Sequence, residues 1–131
     1  MPKKQKSKYT HISLAKKAAN HAFSDYIRTR DKYTCITCGK LGDKHNIDAG
    51  HYIPRAHRLI LYDEFNVHAQ CYRCNCVYEG NTIIYRKKLI EKYGEAEVLR
   101  LEDSQFVECK MSIHDYLDIE RKYREKLREL E

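Results

Sequence analysis

Apolar positions recur at helical spacing in four stretches of the chain and shorten to strand-like runs in one region. Across residues 13–30 a face formed by Leu14, Ala18, His21 or Ala22, Tyr26 (or Asp25) and Thr29 predicts a helix with Ser13 as its N-cap. Its apolar stripe is thin, so it is expected to lie over the rest of the fold or against a ligand. Residues 82–93 form a stronger helical pattern with Ile83, Ile84, Leu89 and Ile90 inward and Gly94 as the stop. A shorter helix follows over 95–103, burying Val98 and Leu101. Ser112 and Asp115 resemble a capping box, and Tyr116, Ile119, Tyr123, Leu127 and Leu130 then step along one helical face. That face is expected to dock on the 82–93 helix; a homodimer contact is the alternative.

Between the first two helical stretches the pattern changes. Asp48 to Ile53 reads as a strand stopped by Pro54, and Asn66 to Gln70 as its return, with a loop over 55–64. A short helix should open at Cys71 and run to about Tyr78. Gly80 takes its C′ position, and Asn81 can cap the next helix. The fold class is α+β: a treble-clef, ββα-metal type of zinc module flanked by N-terminal and C-terminal helices. The expected division is a basic arm over residues 1–12, the module with its leading helix over 13–94, and a helical extension over 95–131.

Cysteine spacing supplies the reason for calling it a zinc module. Cys35-x-x-Cys38-Gly39 and Cys71-x-x-Cys74 offer four thiolates, the number and type that close a tetrahedral structural zinc site. They bracket 32 residues, more than the ~15–20 of simple four-cysteine ribbons, which leaves room for the predicted hairpin. Gly39 suits the tight turn after the first pair. Six cysteines could instead form disulfides. The sequence starts Met-Pro-Lys-Lys-Gln-Lys with no apolar leader, which points to reduced thiols and a cytoplasmic location. Cys76 and Cys109 have no partner at ligand spacing and are expected to be packing residues, Cys76 being an alternative ligand. No apolar run reaches membrane-spanning length.

Charge is distributed unevenly. The chain carries a net +6, but residues 1–34 hold nine Lys/Arg against two acids, a net +7. Residues 35–81 are neutral and residues 82–131 sum to −1. A basic end beside a metal module is an electrostatic footprint for nucleic acid, although a solvated tail would look the same.

Within the bracket, His51, Asn66 and Asn75 fall on the two strands and the following helix. Histidine is the natural base near neutral pH. Asn75, directly after the last cysteine, can offer a carbonyl oxygen to a hard cation such as Mg2+ or Mn2+. Asn66 can hydrogen-bond across the hairpin and fix the backbone that carries His51. The plainer alternatives are a buried, hydrogen-bonded histidine and a helix-end cap. Asp48 shares a strand face with position 50 and can complete an oxygen shell. His68 shares the face of Asn66 and can contact phosphate or metal. Glu79 would share a helix face with Asn75 if the helix persisted.

These residues resemble the HNH endonuclease superfamily in its zinc-stapled form, and more specifically the lambdoid-phage NinG, or Rap, recombination proteins. The resemblance rests on Cys35-x-x-Cys38-Gly39, Gly50-His51-Tyr52, Glu64-x-Asn66-x-His68-Ala69-Gln70-Cys71-x-x-Cys74-Asn75, Gly80-Asn81 and Tyr85-Arg86. It covers roughly residues 23–94. It implies a divalent-metal DNA endonuclease acting on branched recombination intermediates such as D-loops and Holliday junctions, of phage origin, working in the bacterial cytoplasm. In the wider superfamily the residue before the base is usually an acid or histidine that binds the metal; here it is Gly50. A non-catalytic zinc module that binds nucleic acid or recruits a partner is the competing reading.

Overall fold

A computed structural model describes residues 11–131; the expected basic arm, up to residue 10, lies outside the described residues. Helix α1 (Ile12–Arg30) leads to a hairpin of β1 (Ile47–His51) and β2 (Val67–Cys71). Helices α2 (Thr82–Tyr93), α3 (Glu95–Ser104) and α4 (Ile113–Leu130) follow. A 3-10 turn at Arg58–Ile60 lies in the hairpin loop, and a π-turn at Arg73–Val77 follows β2. The two strands pair antiparallel, with Asp48 opposite Gln70, Gly50 opposite His68 and His51 opposite Val67.

Helix α1 begins one residue earlier than the pattern predicts, and His11 rather than Ser13 precedes it, with no side-chain cap. Its buried face is Ala15, Ala19, Ala22, Phe23, Tyr26 and Ile27, while Leu14 is exposed. The expected face was rotated because alanines count weakly in an apolar pattern, yet here they permit close approach. That approach is to α4: Ala15 and Ala19 pack on Tyr116. Phe23 stacks edge-on against Tyr123 at 4.7 Å and against Tyr62 at 5.4 Å. Helix α4 therefore docks on α1, not on α2 as its stripe suggested. Ser112 and Asp115 form the expected capping box.

The hairpin separates two cores. On one face Ala49 and Val67 join Ala22, Phe23, Tyr26, Ile27 and Tyr123. The other core gathers Tyr52, Ile53 and Ile60 from the hairpin loop with Tyr85, Leu89, Val98 and Leu101 from α2 and α3. Ile83 and Ile84, expected inside, are exposed, and Tyr85 takes the buried position. Gly94, at φ +91°, makes the sharp turn between α2 and α3.

Polar ties hold the hairpin to the helices. Glu64 accepts from the hydroxyls of Tyr26 (3.0 Å) and Tyr123 (3.2 Å) and pairs with Lys126 (2.8 Å), joining α1, the loop and α4. At the far edge of β2, Asp31 accepts from the Ala69 amide (2.8 Å), and Arg30 donates to the Val67 carbonyl (2.8 Å). These bonds satisfy an edge that no third strand covers among the described residues. No helix among the described residues is long and apolar enough to cross a membrane.

Candidate metal centre and the polar site beside it

Two turns and a strand end bring the cysteines together. The first turn closes with the Cys35 amide on the Lys40 carbonyl and the Gly39 amide on the Cys35 carbonyl, both 2.9 Å. Gly39 takes φ +78° there. The Ile36 amide bonds the Ala69 carbonyl at 2.9 Å, so this turn hangs on the free edge of β2. Cys71 ends β2, and the π-turn carries Cys74 back beneath it. The four Sγ atoms lie within 4.8 Å of one another, and Cys38 and Cys71 are 3.7 Å apart. A tetrahedron with metal–sulfur bonds of about 2.3 Å requires sulfurs about 3.8 Å apart. The cluster can hold a metal such as zinc.

The surroundings suit thiolate ligation. Burial disfavours a charged Cys35, but the Thr37 hydroxyl (3.2 Å) and nearby backbone amides outweigh it and bring the thiol down to about 6. Burial and the neighbouring sulfurs push Cys38 up to about 12. Four thiols this close compete for ionisation, and a bound cation would favour the thiolate form of each. Asn81 does not cap α2 with its side chain; its amide faces the Cys74 sulfur at 3.8 Å. Cys76 is exposed and Cys109 partly so; neither packs in the core as expected, and neither joins the cluster.

Asn66 is fully buried and does what its position predicted. Its Oδ1 accepts from the Ile53 amide (2.8 Å), and its Nδ2 donates to the Ile53 (3.0 Å) and Ile60 (3.3 Å) carbonyls. It thereby pins the chain just after His51. His51 Nε2 bonds the Leu61 carbonyl at 2.9 Å, which fixes the tautomer with a lone pair on Nδ1. That Nδ1 is buried without a partner. Burial lowers the His51 pKa to about 4; the Leu61 carbonyl opposes the shift and the Arg55 charge adds to it.

His68 is placed differently from the sequence expectation. Its Nε2 meets the Tyr93 hydroxyl at 2.7 Å and its Nδ1 the Tyr85 hydroxyl at 3.3 Å. With both nitrogens occupied and 1% of the residue exposed, no ring nitrogen remains for metal or phosphate. Burial, with Arg30 nearby, lowers its pKa to about 3. Asp48 is exposed and Asn75 half-buried. The π-turn ends at Val77, and Glu79 adopts φ +50°, so Glu79 shares no continuous helix with Asn75.

The glycine at position 50 has a clear steric cause. A Cβ there would lie 1.9 Å from Gln70 Oε1. The Gln70 side chain crosses above Gly50 to donate to the Gly80 carbonyl at 2.9 Å, and the Tyr85 hydroxyl donates to the Gly50 carbonyl at 2.7 Å. Gln70 Oε1 is left buried without a partner. Sequence reasoning placed Gln70 and Tyr85 in the family motif but gave neither a role; for Gln70, a polar residue alternating with Asn66 and His68 on one strand face was the available signal.

The model of the Bacteriophage Lambda NinG protein family matches residues 2–131. The chain belongs to the NinG family. It is 36% identical over 116 residues to the protein ninG of Escherichia phage 933W, covering 87% of this chain and 57% of that protein. The ninG proteins of Salmonella phage P22 and Escherichia phage lambda are 37% and 35% identical, each match covering 87% of this chain and 56% of the relative. The chain thus spans little more than half the length of these NinG relatives. No solved structure matches it.

Proposed function

We propose that this NinG-family chain is a zinc-stapled HNH-type endonuclease that cuts DNA at branched recombination intermediates, D-loops and Holliday junctions among them, in the host cytoplasm. The observation that carries the reading is His51. It is neutral, its ring is fixed through Nε2, and its Nδ1 lone pair is unspent. In this role Nδ1 takes the proton of an attacking water while the Leu61 carbonyl holds the ring in place. A phosphate docked nearby brings negative charge, which raises the His51 pKa from about 4 towards neutrality, where a base works best. Asn66 is a positioning residue, because it locks the Ile53 backbone two residues beyond His51.

Such chemistry needs a hard cation held by oxygen donors. Asp48 offers an exposed carboxylate, Asn75 an amide, and Gln70 an unpartnered amide oxygen beside Gly50. Asp48 and Asn75, with Gln70 replacing a position-50 side chain, would hold magnesium or manganese. Such a cation, when bound, stabilises charge developing on the scissile phosphate. The four cysteines would hold the structural zinc. A homodimer suits a junction that must be cut twice.

A non-catalytic zinc module that binds nucleic acid is the second reading, favoured by the missing acid at position 50. Nicking of supercoiled plasmid and cleavage of a four-way junction separate the two. Zinc-loaded protein should cut with magnesium or manganese added, and His51→Ala should lose at least ~10²-fold while keeping its fold and zinc. Cleavage unchanged by His51→Ala rejects the assignment of the base.

A further inference from the structure

We infer that a cavity between α1 and the turn after β1 is a phosphate-binding pocket that seats a backbone phosphate of nucleic acid beside His51. The inference deepens the nuclease reading by assigning the group that positions substrate, but it stands on its own residues. The cavity is about 270 Å³ and is lined by Lys17, Asn20, His21, Ser24 and Arg55. The first four are spaced three, one and three residues apart, so they form a single face of α1. Arg55 closes the cavity from the turn that follows Pro54.

Every lining residue can donate a hydrogen bond, two carry fixed positive charge, and none is acidic. Neither Lys17 nor Arg55 belongs to an ion pair among the described residues, whereas the nearest acid on α1, Asp25, is already held by Arg28 and Arg124. The Tyr62 hydroxyl donates to Asn20 Oδ1 at 2.5 Å, which uses the amide's acceptor and leaves its NH2 as a donor. Such a set, with two fixed cations and no carboxylate, favours a tetrahedral oxyanion over a cation or an apolar ligand.

Proximity to His51 follows from two links. Arg55 lies close enough to depress the His51 pKa. The Tyr62 that anchors Asn20 directly follows Leu61, whose carbonyl holds the His51 ring. A free phosphate or nucleotide shares the chemistry of a phosphodiester. The net +7 over residues 1–34, which include α1, favours the polyanion.

The test uses zinc-loaded full chain with no magnesium or manganese, so cleavage plays no part in the readout. Inorganic phosphate is titrated while amide resonances are followed by NMR, and binding of a DNA duplex and a four-way junction is measured against salt. Saturable shifts should cluster at His21, Ser24 and Arg55. Lys17→Ala/Arg55→Ala, both at exposed positions, should abolish them, weaken DNA binding about tenfold or more, and flatten the salt slope by about 1–2. Lys87→Ala/Lys88→Ala, exposed on α2, serves as the charge-matched control and should leave the phosphate shifts intact. Loss of phosphate binding with DNA binding unchanged would overturn the backbone assignment in favour of a free phosphate. Shifts spread evenly over all basic residues, or unmoved by the double variant, would overturn the pocket. A protein that never cleaves yet passes this test would sink the nuclease reading alone.

Discussion

Acidification from pH 7 to pH 5 should remove about 4 kcal/mol of stability through buried His68 and half-buried His51, whose Nδ1 is enclosed. His51 and His68 are held in their neutral forms, with pKa values lowered from 6.5 to about 4 and about 3. A base whose folded pKa is depressed contributes nothing against unfolding by protons at high pH, and stability falls as pH drops through the unfolded value. Between pH 7 and pH 5 the unfolded chain protonates both rings while the folded chain protonates neither. Each ring then costs about 2 kcal/mol, from 1.36 kcal/mol per pH unit below 6.5. The figure depends only on both folded values lying near or below 5. Zinc thiolates also weaken in acid, so the measurement is a difference: urea unfolding of zinc-saturated parent and His51→Gln at both pH values. Gln keeps a donor for the Leu61 carbonyl and has no titrating group. The variant should lose about 2 kcal/mol less than the parent over this range. An equal loss in both would refute the neutral His51 on which the base assignment rests.

Replacing Cys71 by Ser should release the metal and unfold the hairpin region, since ligation in such sites supplies folding free energy on the order of 10 kcal/mol; metal content and circular dichroism check this, and a folded variant with stoichiometric zinc would count against the site. Gly50→Ala should cost about 1–3 kcal/mol by forcing Gln70 off the Gly80 carbonyl, and Gln70→Ala should cancel much of that penalty in a double-mutant cycle. Deleting residues 1–8 removes four lysines and should flatten the DNA salt slope by up to about 3–4 units at ~0.9 per contact; an unchanged slope would make the segment a solvated tail.

The local elements were legible where a single residue carries the signal. Cysteine spacing identified the four-cysteine cluster, Pro54 and the alternation on either side gave the hairpin to within one or two residues, and Ser112 with Asp115 marked the start of α4. Helix partners were not legible. Apolar periodicity says that α4 has a face, but the choice of α1 over α2 depends on alanines at 15 and 19 making room for Tyr116. Tyrosines compounded the difficulty: Tyr85 displaces Ile83 and Ile84 from the core because its hydroxyl finds the Gly50 carbonyl. At the candidate site, the cross-hairpin hydrogen bonding of Asn66 was readable because its side chain faces the turn after His51. The burial of His68 was not, since it depends on two tyrosines contributed by α2.

The arrangement also shows what a metal at the four cysteines would do for this chain. Among the described residues, the α1–α4 core and the α2–α3 core are joined through the hairpin and its loop, with Tyr62 packed against the first and Ile60 buried in the second. A two-stranded hairpin is marginal alone, and its residues 47, 69 and 71 pack mainly on Cys35 and Cys74 rather than on large aliphatics. Ligation at those sulfurs would fix the first turn to β2 and β2 to the π-turn, and so place Asn75 relative to the hairpin. Asn66 then carries the same rigidity to the other end of the hairpin through Ile53 and Ile60. His51 sits between these two supports, one from the metal cluster and one from an amide network. Loss of zinc should therefore loosen Asn75 and Gln70 first, while the bond of His51 to the Leu61 carbonyl persists until the hairpin itself opens.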